Sequence, residues 1–121
     1  MYNKKVMDYF TNPRNAGKMD SPDGVGRACN SVDGDEMILY LKIRDNRITE
    51  ATFQTYGCAA AIASSSMTTE LLKNRTLEEA LSLKNEEVVE ALGGLPPKKA
   101  DCSVLTEDAV RSAIEDYRKK T

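Results

Sequence analysis

From Glu36 onward the sequence alternates, with Met37, Leu39, Leu41 and Ile43 on one side of an extended chain and Ile38, Tyr40, Lys42 and Arg44 on the other. A period of two held over that length predicts a strand with one strongly apolar face. Asp45-Asn46 follows, a pair suited to a tight reversal, and a second strand is expected from Ile48 to Thr55, ITEATFQT. Such a hairpin constrains everything after it, because its apolar face must be covered by another layer. The covering element is close at hand. A loop through Tyr56-Gly57-Cys58 leaves the second strand, and a helix is expected over about residues 60–73, with Ala60, Ala63, Met67 and Leu71 on one face and Ser and Thr over much of the rest. Its small side chains suit close packing on a sheet.

The remaining chain reads as helices and turns. Val6, Met7 and Phe10 have helical spacing over residues 3–10, and Thr11-Asn12-Pro13-Arg14-Asn15-Ala16-Gly17 ends that helix in turn-forming residues. Residues 11–35 are expected to be irregular. Thr76-Leu77-Glu78-Glu79 has the capping-box pattern, in which hydroxyl and carboxylate satisfy each other's free backbone amides, so a short helix starts there. Asn85 is expected to cap the next one, which carries Val88, Val89 and Leu92 and stops at Gly93-Gly94. Leu95-Pro96-Pro97-Lys98-Lys99 cannot be helical and is expected to be exposed and extended. A last helix over about 103–119 buries Leu105, Ala109, Val110, Ala113, Ile114 and Tyr117 and ends in basic residues that suit its C-terminal dipole. Strands early and helices late give an α+β fold, a small antiparallel sheet packed by helices, in one domain spanning 1–121.

Charge narrows the function classes. Seventeen basic and nineteen acidic side chains leave a net charge of −2, which gives no reason to expect nucleic acid or an anionic membrane as the main partner. No apolar run approaches the roughly 20 residues that cross a bilayer, and MYNKKVMDYF is too short and too charged for a secretory signal. A cytoplasmic location is therefore expected. The three cysteines, Cys29, Cys58 and Cys102, are scattered and odd in number, unlike a disulfide framework, and there is no histidine. Any catalysis or metal binding must run on thiolates and carboxylates.

All three cysteines are expected in loops or at helix starts. Cys58 and Cys102 each precede a helix, where amide dipoles favour a nucleophilic or metal-binding thiolate. Cys58 follows a glycine, which permits close approach of backbone to another group, and Cys102 follows Asp101. In the segment Val32-Asp33-Gly34-Asp35 the acidic residues and glycine fit either ordinary turn chemistry or metal ligation. The spacing does not continue into a calcium loop of the helix-loop-helix type, and mixed thiolate and carboxylate donors suit iron or zinc better. Ser64-Ser65-Ser66 has no histidine partner and no phosphate-binding glycine loop, so it reads as a closely packed helix face.

Several ordered segments carry a resemblance. They are Asn12-Pro13-Arg14-Asn15; Gly34-Asp35-Glu36-Met37; FQTYGCAAAIASSS from Phe53 to Ser66; Leu95-Pro96-Pro97-Lys98-Lys99; and Cys102-Ser103-Val104-Leu105, followed by Glu107-Asp108-Ala109. With these, the chain resembles the iron-sulfur cluster assembly scaffold family of the IscU and NifU N-terminal type from end to end. The resemblance implies a [2Fe-2S] cluster assembled from iron and from sulfur delivered by a cysteine desulfurase, then passed to iron-sulfur acceptor proteins. It further implies zinc in the cluster-free form, a homodimer around a cluster, and an Hsp70-type chaperone that binds Leu95, Pro96, Pro97 and Lys99.

Carried over residue by residue, the resemblance makes Cys58, Cys102 and Asp35 ligands. It departs at two places. Asp33 stands where the family has its first cysteine, and Asp101 stands where it has a histidine before the last cysteine. Cys29, four residues upstream of Asp33, is the alternative source of the missing thiol. Cys102 is also the candidate persulfide acceptor. A carboxylate is a harder ligand than a thiolate, so an Asp-ligated cluster is expected to be more labile. The chain is thus read as a carrier and not an enzyme. Two other readings remain open on the residues alone, a zinc-binding module that regulates a desulfurase and a persulfide sulfurtransferase.

Overall fold

The structure is a computed structural model, and it describes residues 2–30, 34–96 and 104–120. In chain order the elements are α1 (Lys4–Thr11), β1 (Gly24–Asn30), β2 (Asp35–Arg44), β3 (Arg47–Tyr56), α2 (Ala59–Leu72), α3 (Leu77–Leu81), α4 (Asn85–Ala91) and α5 (Val104–Lys120). The three strands form one antiparallel sheet in the order β1-β2-β3. The expected β2–β3 hairpin is present. Asp45 and Asn46 both take positive φ, 52° and 64°, the backbone twist that a two-residue reversal between right-twisted strands requires.

The alternation in β2 is cashed out as two faces. Asp35, Met37, Leu39, Leu41 and Ile43 point to the helical layer and are buried. Glu36, Tyr40 and Lys42 occupy the opposite face and are only half-buried. α5 lies over β1 and β2, α2 lies over β3, and α1 packs on α2. Between sheet and helices sits one core that includes Leu39, Leu41, Ile48, Phe53, Leu72 and Ile114. Removing a buried side chain of that size from water contributes roughly 1.5–3 kcal/mol.

Three expectations need correction. Residues 24–30 are a strand, not irregular chain. The sequence GVGRACN hides it, because two of its inward positions are glycines and contribute no apolar signal. Those glycines are required by the packing. A Cβ on Gly24 would overlap the carbonyl oxygen of Ala113, and one on Gly26 would overlap the backbone of Ala109 and Ala113. Helix α5 therefore rests on β1 backbone to backbone. Cys29, expected in a loop, lies within this strand. Finally, Asn85 is not the cap of α4; Lys84 occupies that position, and the Asn85 amide N–H donates to Glu107 Oε2 at 2.7 Å. The helix is thus started by a contact from α5, which sequence spacing does not reveal.

Other expectations hold. The Thr76–Glu79 capping box is formed in both directions. Ser64, Ser65 and Ser66 are fully buried, and so are Thr68 and Thr69. Part of this hydroxyl surface is a socket for the Asn12–Asn15 segment. Arg14 N–H donates to Ser66 Oγ at 2.7 Å, and Asn15 Nδ2 donates to Thr69 Oγ1 at 3.0 Å. The same segment then covers the outer edge of β3, with Phe53 N–H donating to Asn15 O and Gly17 N–H to Phe53 O. Among the described residues no helix is long and apolar enough to cross a membrane.

Candidate metal centre at the open end of the sheet

The hairpin register creates the site. Glu36 pairs with Tyr56, so one step further along the same ladder Asp35 stands beside Gly57, and Cys58 follows at once. Residues far apart in sequence thus meet at the end of the sheet opposite the Asp45-Asn46 turn. Asp35 belongs to the inward set of β2, which turns its carboxylate toward the helical layer where α2 begins. It is only 4% exposed. Cys58 Sγ lies 3.9 Å from Asp35 Oδ2.

Cys58 is the N-cap residue of α2, yet its side chain makes no capping bond. The first turn's amides are therefore not closed by a side chain from that residue, and the field of a 14-residue helix favours an anion there. Around the thiol is a small apolar wall. Ala60 and Ala61 are buried, and Tyr2, Leu95 and Cys58 pack against them. Tyr2 was not singled out from the sequence, and nothing local would have found it, because its place depends on α1 docking on α2. Asn3 holds that docking. It caps α1 by accepting from Val6 N–H at 2.8 Å, and its amide group donates to the carbonyls of Leu92 at 3.1 Å and Gly94 at 3.2 Å.

Cys29 is differently placed. It pairs with Glu36 across β1 and β2, so the two side chains share a face, the one opposite Asp35. Cys29 is exposed there. The fold brings Asp35 and Cys58 together and does not bring Cys29 to them. Asp33, Pro97, Lys99, Asp101 and Cys102 lie outside the described residues. Their flanks can be placed. Gly34 N–H donates to Asn30 O at 2.7 Å, with Gly34 at φ 73°, and Asn30 pairs with Asp35, so the chain on either side of 31–33 is at the Asp35 end of the sheet. Gly24 faces Ala113 and Tyr117 while Gly26 faces Ala109 and Ala113, so α5 runs antiparallel to β1 and its first residues lie at that same end. Pro96 follows Leu95, which already touches the Cys58 wall.

The donors suit a soft or borderline metal. A buried carboxylate whose neighbour is a thiol has no positive partner to balance it among the described interactions, and burying a charge in that way is costly unless a cation completes it. Two donors alone are not a full set. Among the described residues no group of three or more potential ligands occurs, so a complete site draws on residues beyond Asp35 and Cys58.

The architecture, a three-stranded antiparallel sheet with helices on one face, is that of the crystallised N-terminal part of a nitrogen-fixing NifU-like protein from Brucella abortus. The two superpose with a TM-score of 0.78 at 24% identity, covering 98% of this chain and 95% of that one. The family described as NifU-like N terminal domain matches residues 1–121, and the chain belongs to it. Closer relatives in sequence carry a function in their names. The iron-sulfur cluster assembly scaffold proteins IscU 1 and IscU 2 of Archaeoglobus fulgidus are each 57% identical over 120 residues, covering 99% of this chain and 78% of theirs. The scaffold protein IscU of Azotobacter vinelandii is 50% identical over 123 residues, covering 98% and 95%. None of these names favours the zinc-regulator or sulfurtransferase reading.

Proposed function

We propose that this protein is a scaffold on which a [2Fe-2S] cluster is assembled and from which it is passed to acceptor proteins, a carrier and not an enzyme. The observation that carries the reading is the pairing of Asp35 with Cys58 at 3.9 Å on the open end of the sheet, in a chain 57% identical to named scaffold proteins. Asp33 and Cys102 complete the ligand set in this reading, and the chain flanking each of them supports it. The Asn30–Gly34 reversal and the start of α5 both lie at the Asp35 end. Asp33 is preferred over Cys29 because Cys29 shares a face with Glu36, away from Asp35. Asp101 is the remaining carboxylate candidate, and zinc is a substitute occupant in the absence of a cluster.

Sulfur is supplied by a cysteine desulfurase. The Cys102 thiolate attacks the outer sulfur of the desulfurase persulfide, the S–S bond breaks, and the desulfurase thiolate leaves while Cys102 retains the persulfide. Conversion of that sulfur to sulfide takes two electrons from a thiol or ferredoxin-class reductant. The Leu95–Lys99 segment is read as a peptide for the groove of an Hsp70-type chaperone, which prefers extended chain. A homodimer bridged by a cluster and a cytoplasmic location belong to the same reading.

Anaerobic reconstitution with iron and sulfide, followed by visible absorption and iron analysis, tests the proposal. A coloured product with about two irons and two sulfides per cluster is expected. A colourless product without iron would sink it.

A further inference from the structure

Gly57 stands between the last residue of β3 and the cysteine that caps α2. Its φ is not positive, unlike those of Gly17, Gly34, Gly93 and Gly94. An alanine can adopt its backbone conformation, so backbone freedom is not the reason for glycine at 57. Space is the reason. A Cβ built on Gly57 would lie 2.5 Å from Asp35 Oδ1, 2.7 Å from Asp35 Cγ and 3.1 Å from Asp35 Cβ. The three nearest atoms all belong to one side chain, and none of them is backbone. By contrast, the three atoms nearest a Cβ on Gly26 are all helix backbone. The consequence differs accordingly. At Gly26 two elements would have to separate, whereas at Gly57 the yielding group is the Asp35 carboxylate.

We propose that Gly57 is a positioning residue for Asp35, its missing side chain holding open the place in which the carboxylate sits 3.9 Å from Cys58. This rests on Asp35 and Cys58 being metal ligands. Rotation about the Asp35 Cα–Cβ bond is the cheap escape from an added methyl group, since the 2.7 Å contact is with Cγ, which turning the carboxylate about the Cβ–Cγ bond leaves in place. That rotation carries the carboxylate oxygens away from the thiol, and the remaining 3.1 Å contact with Asp35 Cβ asks only a few tenths of an ångström of the backbone. The substitution therefore acts on the ligand geometry and spares the fold. Its effect on metal binding should equal the loss of Asp35 itself.

A double-substitution cycle with Zn2+ as the probe, joined to a crystal structure of metal-free Gly57→Ala, decides the matter. Asp35→Ala is expected to weaken Zn2+ about tenfold, Gly57→Ala by about the same factor, and the double variant by no more than about threefold beyond either. In the crystal, the Asp35 carboxylate should be displaced, with the backbone of β3 and α2 shifted by no more than a few tenths of an ångström. The proposal is overturned by a Zn2+ affinity of Gly57→Ala within about twofold of the unaltered chain, by losses that multiply in the double variant, or by a carboxylate found in its original place. If the unaltered chain takes up neither Zn2+ nor a cluster, the scaffold reading falls and takes Asp35 as a ligand with it. Metal uptake that is indifferent to Gly57→Ala overturns this inference alone.

Discussion

Asp35 and Cys29 show how much one step along a strand decides. Asp35 pairs with Asn30 and faces the helices, while the next rung, Glu36 with Cys29, faces away. A thiol attracts attention in any search for metal ligands, and Cys29 is the thiol nearest in sequence to the Gly34-Asp35 loop. Its orientation separates it from the site. Cys29→Ser is therefore expected to retain the iron and sulfide content of the unaltered chain after anaerobic reconstitution, whereas Cys58→Ser should lose most of both. Iron lost on changing Cys29 would contradict the face assignment. The roles proposed for these residues come only from their order in the sequence and from resemblance. The contact of Asp35 with Gly57, and that of Tyr2 with the Cys58 wall, needed the hairpin register and the α1–α2 docking, which no local pattern encodes.

At the scale of elements, the hairpin, α2, the capping box and α5 were all legible, because each has a long enough apolar period or a specific cap. β1 was not. Strand signals come from β-branched and aromatic residues, and β1 spends two inward positions on glycine so that α5 can approach. What looked like irregular chain is a strand shaped by its neighbour. Gly26→Ala should accordingly lower the stability by about 3 kcal/mol, the upper part of the range for overpacking, since both partners in the contact are backbone. The check is a urea transition with a lower midpoint and an unchanged slope. Asn85 teaches the same lesson in reverse. Its sequence position suggests a cap, but Glu107 from another helix takes its amide.

Across the whole molecule, carboxylates tie elements together and set the response to acid. Asp116 accepts from Val25 N–H at 2.9 Å and from Lys120, and these bonds hold its carboxyl below the usual carboxylate range. Glu70 is held low in the same way by Asn15 and Lys73. A carboxyl that is more acidic folded than unfolded contributes stability above its unfolded pKa, near 4, and that contribution is lost as the pH falls through the lower folded value. Stability should therefore fall below about pH 4. In Asp116→Asn the Val25 bond can persist through the amide oxygen while the titration disappears, so the decline between about pH 5 and 3 should be shallower. Urea transitions across that range measure it.

Asn3 gives the molecule a latch. One short side chain grips the carbonyls of Leu92 and Gly94 from the start of α1, while Tyr2 and Leu95 close over the same two alanines beside Cys58. A protein that seizes the chain at Leu95 and Pro96 must unhook two hydrogen bonds worth about 1 kcal/mol each. In doing so it peels back the wall of the thiol without bending a strand. Pulling on Leu95 and Pro96 and uncovering the Cys58 thiol are, mechanically, one act.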